Sequence, residues 1–193
     1  MKKNNYFQFA RSFIQQPKQV GSVWPSSRFL ASKMIYSIPW HEVNAVAELG
    51  SGTGAITKFI KDNVTDGTHV FLFEMDNIMR SQLKTAFPRF HCLPNASRLV
   101  EDIQREGINQ LDCVISGLPF FNFSPELRES LLQQIYYSLK PGGVFVAFQY
   151  SLQMKRHLSL KLEIERIEFV PLNFPPAFVY TCRKEVPANK IMA

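Results

Sequence analysis

The sequence predicts an α/β fold: a mostly parallel sheet of seven strands covered by helices, with an antiparallel hairpin at its C-terminal end. Three observations carry this. Apolar runs alternate with helical patterns in a strand–helix–strand rhythm, which implies parallel strands buried on both faces. The run 45–49 feeds a turn holding Gly50, Gly52 and Gly54, and helical spacing resumes at Ile56, Phe59 and Ile60, the strand–turn–helix context that a nucleotide site requires. Finally, only Asn173-Phe174-Pro175-Pro176 separates the last two strand candidates. That is too short for a crossover, so they pair antiparallel.

Taken in order, residues 1–40 form an N-terminal basic helical segment and 41–193 a single sheet domain. Tyr6, Phe7, Phe9, Ala10, Phe13 and Ile14 share one helical face, and Gln8, Arg11, Ser12 and Gln15 the other. Pro17 ends that helix, and Pro25-Ser26-Ser27 starts a second one running to Tyr36. Strands follow at 45–50, 69–75, 90–94, 111–117, 142–150, 163–171 and 177–183. Helices fall at 54–63, 77–86, 97–106 and 125–139, with a short one near 152–159. Ser124-Pro125 starts the longest of them, and Gly142-Gly143 after Lys140 reads as its stop signal.

Composition narrows the function classes. At 193 residues, 46% hydrophobic with 17 Phe, the chain has enough apolar material for a filled core. No apolar stretch approaches the roughly 18 residues of a membrane span, and the front residues do not read as a cleavable leader. Cys92, Cys113 and Cys182 are unpatterned and fit reduced thiols in a cytoplasmic protein. The four His residues show no ligand spacing, so no metal is expected. Charge is the more informative quantity. Lys2, Lys3, Arg11, Lys18, Arg28 and Lys33 all precede the first acidic residue, Glu42, and account for the whole net charge of +6. A neutral body with a basic front suggests a polyanionic partner.

A second acidic strand end sharpens the glycine turn: Glu74, in Phe73-Glu74-Met75-Asp76, lies 20 residues beyond Gly54. That is close to the spacing at which a carboxylate meets ribose hydroxyls. With these residues assembled, the chain resembles the Rossmann-like class I S-adenosylmethionine-dependent methyltransferases. Within them it is similar to the small bacterial phospholipid N-methyltransferases, a group related to ribosomal RNA adenine dimethyltransferases. The resemblance runs through Val20-Gly21-Ser22-Val23-Trp24-Pro25-Ser26-Ser27-Arg28, Glu48-Leu49-Gly50-Ser51-Gly52-Thr53-Gly54 and Ser116-Gly117-Leu118-Pro119-Phe120. It continues through Phe148-Gln149-Tyr150 and Leu172-Asn173-Phe174-Pro175-Pro176. The glycine turn is common to very many methyltransferases; the Trp-Pro-Ser-Ser-Arg and Asn-Phe-Pro-Pro-Ala segments are narrower signals.

The resemblance implies S-adenosyl-L-methionine as cofactor and assigns roles by position. Gly50, Gly52, Thr53 and Gly54 would approach its methionine and ribose portion. Glu48 would meet the methionine amine or organise water beside it, a role that competes with capping the following helix. Glu74 would accept from both ribose hydroxyls, Met75 would lie against adenine, and Asn95 and Ala96 would complete the adenine contact. Asn95 stands where the family usually has an acidic residue, so a neutral hydrogen bond replaces a charge-assisted one. Ser116, also a cofactor contact, and Tyr150 would be catalytic, and Ser26, Leu118, Pro119, Phe120 and Tyr150 would bind substrate. Phe120 and Phe121 also fit core or lid packing. Asp112 reads as a strand start without chemical duty.

The implied reaction is methyl transfer to the amine of a phospholipid such as phosphatidylethanolamine, on a protein cytoplasmic or peripheral on the inner membrane face. Residues 1–18 would meet anionic lipid there; the competing reading has their aromatic face fold back over the sheet and close the active site, and both can hold. An RNA adenine methyltransferase is the alternative; Ser116 replaces its usual Asn, and its additional helical domain has no counterpart in the sequence. A non-catalytic binding module is the third reading.

Overall fold

The computed structural model describes residues 27–187. The front helix expected at 6–15, Ser26 and the membrane-contact segment 1–18 lie outside the described residues. Among the described residues, seven strands form one sheet: β1 (Ala45–Leu49), β2 (His69–Phe73), β3 (His91–Leu93), β4 (Leu111–Ser116), β5 (Leu139–Gln149), β6 (Glu163–Val170) and β7 (Ala177–Arg183). The helices are α1 (Arg28–Tyr36), α2 (Ala55–Asn63), α3 (Asn77–Ala86), α4 (Leu99–Arg105), α5 (Pro125–Ser138) and α6 (Lys155–Ser159). The sheet order is β3-β2-β1-β4-β5-β7-β6. The first five strands pair in parallel, and β7 is antiparallel to both β5 and β6.

The hairpin forms as the short connection requires, but β7 lies inside β6. The residue types explain the order. Ala177, Val179, Tyr180 and Cys182 of β7 are buried and need cover, whereas β6 carries Glu163, Glu165, Arg166 and Glu168 and tolerates an edge. Burial raises the Cys113 thiol pKa and pushes Cys182 up to about 12, so both behave as small core apolar groups.

Each face of the sheet has its own core. Ala47, Leu49, Phe71 and Phe73 pack with Leu99 and Ile103 of α4 and Leu131 and Ile135 of α5. On the other face, Val46, Val70 and Leu72 pack with Leu30 and Met34 of α1, Ile56 and Ile60 of α2, and Leu83 of α3. The alternation along β1 and β2 therefore distributes one strand between two cores. Helix starts follow the local signals. Ser27 Oγ accepts from Leu30 N, and Ser124 Oγ accepts from Leu127 N with Pro125 in the first turn. One boundary differs from expectation. Helix α5 stops at Ser138, and Gly142-Gly143 makes an irregularity inside β5. Gly142 has φ +79°, and a Cβ on Gly143 would stand 2.9 Å from Lys140 O. Asp112 ties the nearby edge: Oδ2 accepts from Asn44 N and Ala45 N, and Oδ1 pairs with Lys140 Nζ at 2.6 Å.

Candidate active site

The site lies at the carboxyl ends of β1, β2 and β4, where an open α/β sheet places its ligands. The glycine turn leaves β1 and opens α2. Gly50 N and Ser51 N both donate to Phe73 O, at 2.8 and 3.2 Å, locking the turn onto β2. Gly50, Gly52 and Gly54 have φ of +77°, +53° and +80°, backbone that a side chain strongly disfavours. Their surroundings differ. A Cβ on Gly52 would meet open space, while one on Gly50 would stand 2.9 Å from Leu118 Cδ2. Gly52 borders open space with exposed Thr53 beside it, and Gly50 packs the turn against Leu118. Gly50→Ala should therefore disturb both at once. Left-handed backbone alone costs about 1–2 kcal/mol, so a melting-temperature drop of several degrees with weakened cofactor binding is expected. An unchanged melting curve would refute this packing.

Two carboxylates flank the turn. Glu74, buried at the end of β2, accepts from Gly52 N through Oε2 at 2.7 Å and from Asp76 N through Oε1 at 2.8 Å. Arg80 Nη1 donates to Glu74 O, and Asp76 caps α3 by accepting from Ile78 N and Met79 N. Met75 is partly exposed beside them. Glu48, on β1, is 1% exposed. Its Oε2 accepts from Thr57 Oγ1 at 2.6 Å, and among the described residues its Oε1 has no partner. Burial pushes its pKa up to about 8, against the opposing hydrogen bonds of Thr57 and Ser51. A buried oxygen without a donor is costly. Those features fit a cationic, ribose-bearing cofactor. Glu48 does not cap α2 through a backbone N–H; its helix partner is the Thr57 side chain.

The target segment follows β4. Ser116 is fully buried, and its Oγ accepts from Leu118 N at 3.2 Å, so the hydroxyl expected beside the substrate amine shapes its own turn. Gly117 N donates to Leu49 O at 2.9 Å, and a Cβ there would stand 3.2 Å from Gly50 O. Leu118 O accepts from Gln149 Nε2 and from Phe120 N, each at 2.9 Å. Phe120, expected on the substrate side, is buried edge-on against Phe123 and Phe145; the outward ring after Pro119 is Phe121. Arg128 of α5 donates to Phe120 O, Phe121 O and Phe123 O and lies over the Phe121 ring. Tyr150 is exposed and edge-on to Phe148. Asn95 Oδ1, expected to accept from adenine, accepts from Ser97 N at 3.0 Å as the cap of the short helix that begins at Ala96.

Gln149 and Arg128 are positioning residues that the motifs did not single out. Gln149 had a visible signal, a polar residue in the apolar Phe-Gln-Tyr strand end. Arg128 had none, because its three acceptors are backbone carbonyls. The two narrow sequence segments also meet in space: Ser27 N donates to Asn173 Oδ1 at 3.0 Å across 146 residues.

Comparison with known proteins decides the family. A family described as "Methyltransferase domain" matches residues 46–143. Ornithine lipid N-methyltransferase of Singulisphaera acidiphila is 33% identical over 188 residues, covering 93% of this chain and 96% of that protein. The chain belongs to the class I S-adenosylmethionine-dependent methyltransferases. Carboxy-S-adenosyl-L-methionine synthase of Hydrogenovibrio crunogenus is 26% identical over 134 residues, and the match spans 69% of this methyltransferase and about half (51%) of that protein. Among solved structures, the 1,6-didemethyltoxoflavin-N1-methyltransferase of Burkholderia thailandensis, with 1,6-didemethyltoxoflavin and S-adenosylhomocysteine bound, superposes with a TM-score of 0.69. It is 17% identical and covers 93% of this chain and 89% of its own, a likeness of fold. S-adenosylmethionine is thus the cofactor of this methyltransferase, and the mostly parallel sheet with its antiparallel C-terminal strands is that of the family.

Proposed function

We propose that the chain methylates the primary amine of a membrane lipid, with phosphatidylethanolamine as the expected acceptor. The observation that carries this is the 33% identity to an ornithine lipid N-methyltransferase over nearly the full length of both chains. Ornithine lipid and phosphatidylethanolamine share the relevant chemistry, an amine on a lipid headgroup. The cofactor supplies an electrophilic methyl group on a sulfonium. Glu48 Oε1 takes the ammonium of the bound nucleoside, Glu74 takes its ribose hydroxyls, and Met75 and Asn95 line the adenine side. The exposed Tyr150 and Phe121 flank the acceptor. Ser116 and Gln149 fix the backbone of Leu118, so its turn presents a constant face to the amine.

The amine must be neutral when it attacks. Its nitrogen forms the new bond to carbon as the sulfur–carbon bond breaks, and its proton leaves to water or the lipid phosphate. Alignment is the protein's main contribution, which can lower such a barrier by about 7–11 kcal/mol at best. The protein would work as a peripheral enzyme on the inner membrane face, its basic front segment against anionic headgroups.

Incubation with methyl-labelled cofactor and vesicles containing phosphatidylethanolamine or ornithine lipid tests the acceptor. Label in the lipid fraction, with mass gains of one to three methyl groups, is expected. Label in ribosomal RNA adenine, with none in lipid, overturns the proposal.

A further inference from the structure

One rim of the sheet carries four large apolar side chains in solvent. Phe29 is 53% exposed, Phe169 56%, Leu172 63% and Phe174 76%. They are neighbours. Phe29, Phe169 and Leu172 line one groove of about 220 Å³ with Lys33, Val170 and Pro171. Phe174 follows Asn173, whose Oδ1 holds Ser27 at the start of α1. The rim lies at the substrate end, because β6 is antiparallel to β7 and β7 to β5. Val170 at the end of β6 therefore faces the same way as Glu74, Ser116 and Gln149. Apolar side chains clustered in this manner mark an interaction surface.

Charge selects the partner. Exposed Arg28 precedes Phe29, and Lys33 stands 2.8 Å from Glu168, which also lies 3.9 Å from Arg166. All six charged residues before Glu42 are basic. An apolar wedge with Arg28 and Lys33 on the helix that carries Phe29 is the combination that seats a peripheral protein on anionic lipid.

We infer that the β6–β7 connection at 171–174, together with Phe29, is a lipid-docking edge that seats on an anionic bilayer and turns the substrate end of the sheet toward the headgroups. This rests on the amino-lipid reading of the site, which is why a bilayer is the occupant. It adds a surface separate from the target segment.

Vesicles of phosphatidylcholine and phosphatidylglycerol, which carry no primary amine, test it with the full chain. Leu172→Ser/Phe174→Ser should lower vesicle partitioning by about a hundredfold, since each of the two buried side chains contributes roughly one order of magnitude. Leu160→Ser removes an equally exposed side chain just before β6, at the opposite end of the sheet, and should bind as wild type. The double variant should keep its melting temperature, its cofactor affinity and its transfer to amino-lipid presented in detergent micelles. Leu172→Trp should gain fluorescence quenching by brominated lipid above the wild-type level. A partitioning loss below threefold, an equal loss in Leu160→Ser, or no added quenching overturns the docking edge. Absence of transfer by the wild type in micelles and vesicles alike refutes the acceptor instead, and the amine-free vesicle result stands apart from it.

Discussion

Glu74→Ala is expected to weaken S-adenosylmethionine binding by at least a factor of about a hundred. In the protein this carboxylate already holds Gly52 N and Asp76 N, so its orientation is set before the ribose arrives. Each of its oxygens keeps a further lone pair for a ribose hydroxyl. A hydrogen bond to a charged group contributes about 1.5–3 kcal/mol, so losing two of them exceeds the roughly 2.7 kcal/mol that a hundredfold represents. Removal also frees Gly52 N and loosens the turn, which adds to the loss. Glu74→Gln keeps one acceptor oxygen and should fall between the two. Calorimetric titration with cofactor and a melting curve for each variant decide the matter. A dissociation constant within threefold of wild type, in a protein that melts normally, would show that the ribose is held elsewhere.

The second large effect is a pH dependence set by Glu48. Its carboxyl holds its proton up to about pH 8 when folded, against 4.5 ordinarily, because it is buried. The folded state therefore binds more protons than the unfolded state between those values, and stability falls as pH rises across that window. The loss is complete above pH 8 and reaches at most about 5 kcal/mol. Cofactor binding runs the other way. An ammonium against Oε1 favours the ionised carboxylate, so binding releases a proton below pH 8. Affinity should climb from pH 6 to 8, by at most tenfold per unit, and level off above. Glu48→Gln should flatten both trends, giving a protein more stable than wild type at pH 8 and weaker in cofactor binding there. Calorimetry in buffers of different ionisation enthalpy reads the released proton directly. A wild-type affinity that is flat from pH 6 to 8 would exclude Glu48 as the ammonium partner.

Local signals made much of the fold legible. The glycine turn had to leave a strand and open a helix because Gly50, Gly52 and Gly54 only make sense where φ is positive, and all three are so. Ser124-Pro125 and the six residues between β6 and β7 each encode their geometry within a few positions. The placement of Glu74 beside the turn followed from strand length and spacing. The division of labour between Phe120 and Phe121 was not legible. Both follow Pro119, and only the packing of Phe123 and Phe145 decides which ring goes inside. The residue type of Ser116 suits an amine, yet its Oγ accepts from Leu118 N, two residues on.

The sequence by itself determined the alternation of strands and helices, the glycine turn after β1 and the acidic residues around it, because these rest on periodicity and backbone chemistry within short windows. Only the tertiary structure decided that β7 slides between β5 and β6, that Gln149 and Arg128 brace the target turn, and that one oxygen of Glu48 is buried without a donor among the described residues. Each of those depends on which groups compete for the same space after segments distant along the chain have come together, and no local pattern records that competition.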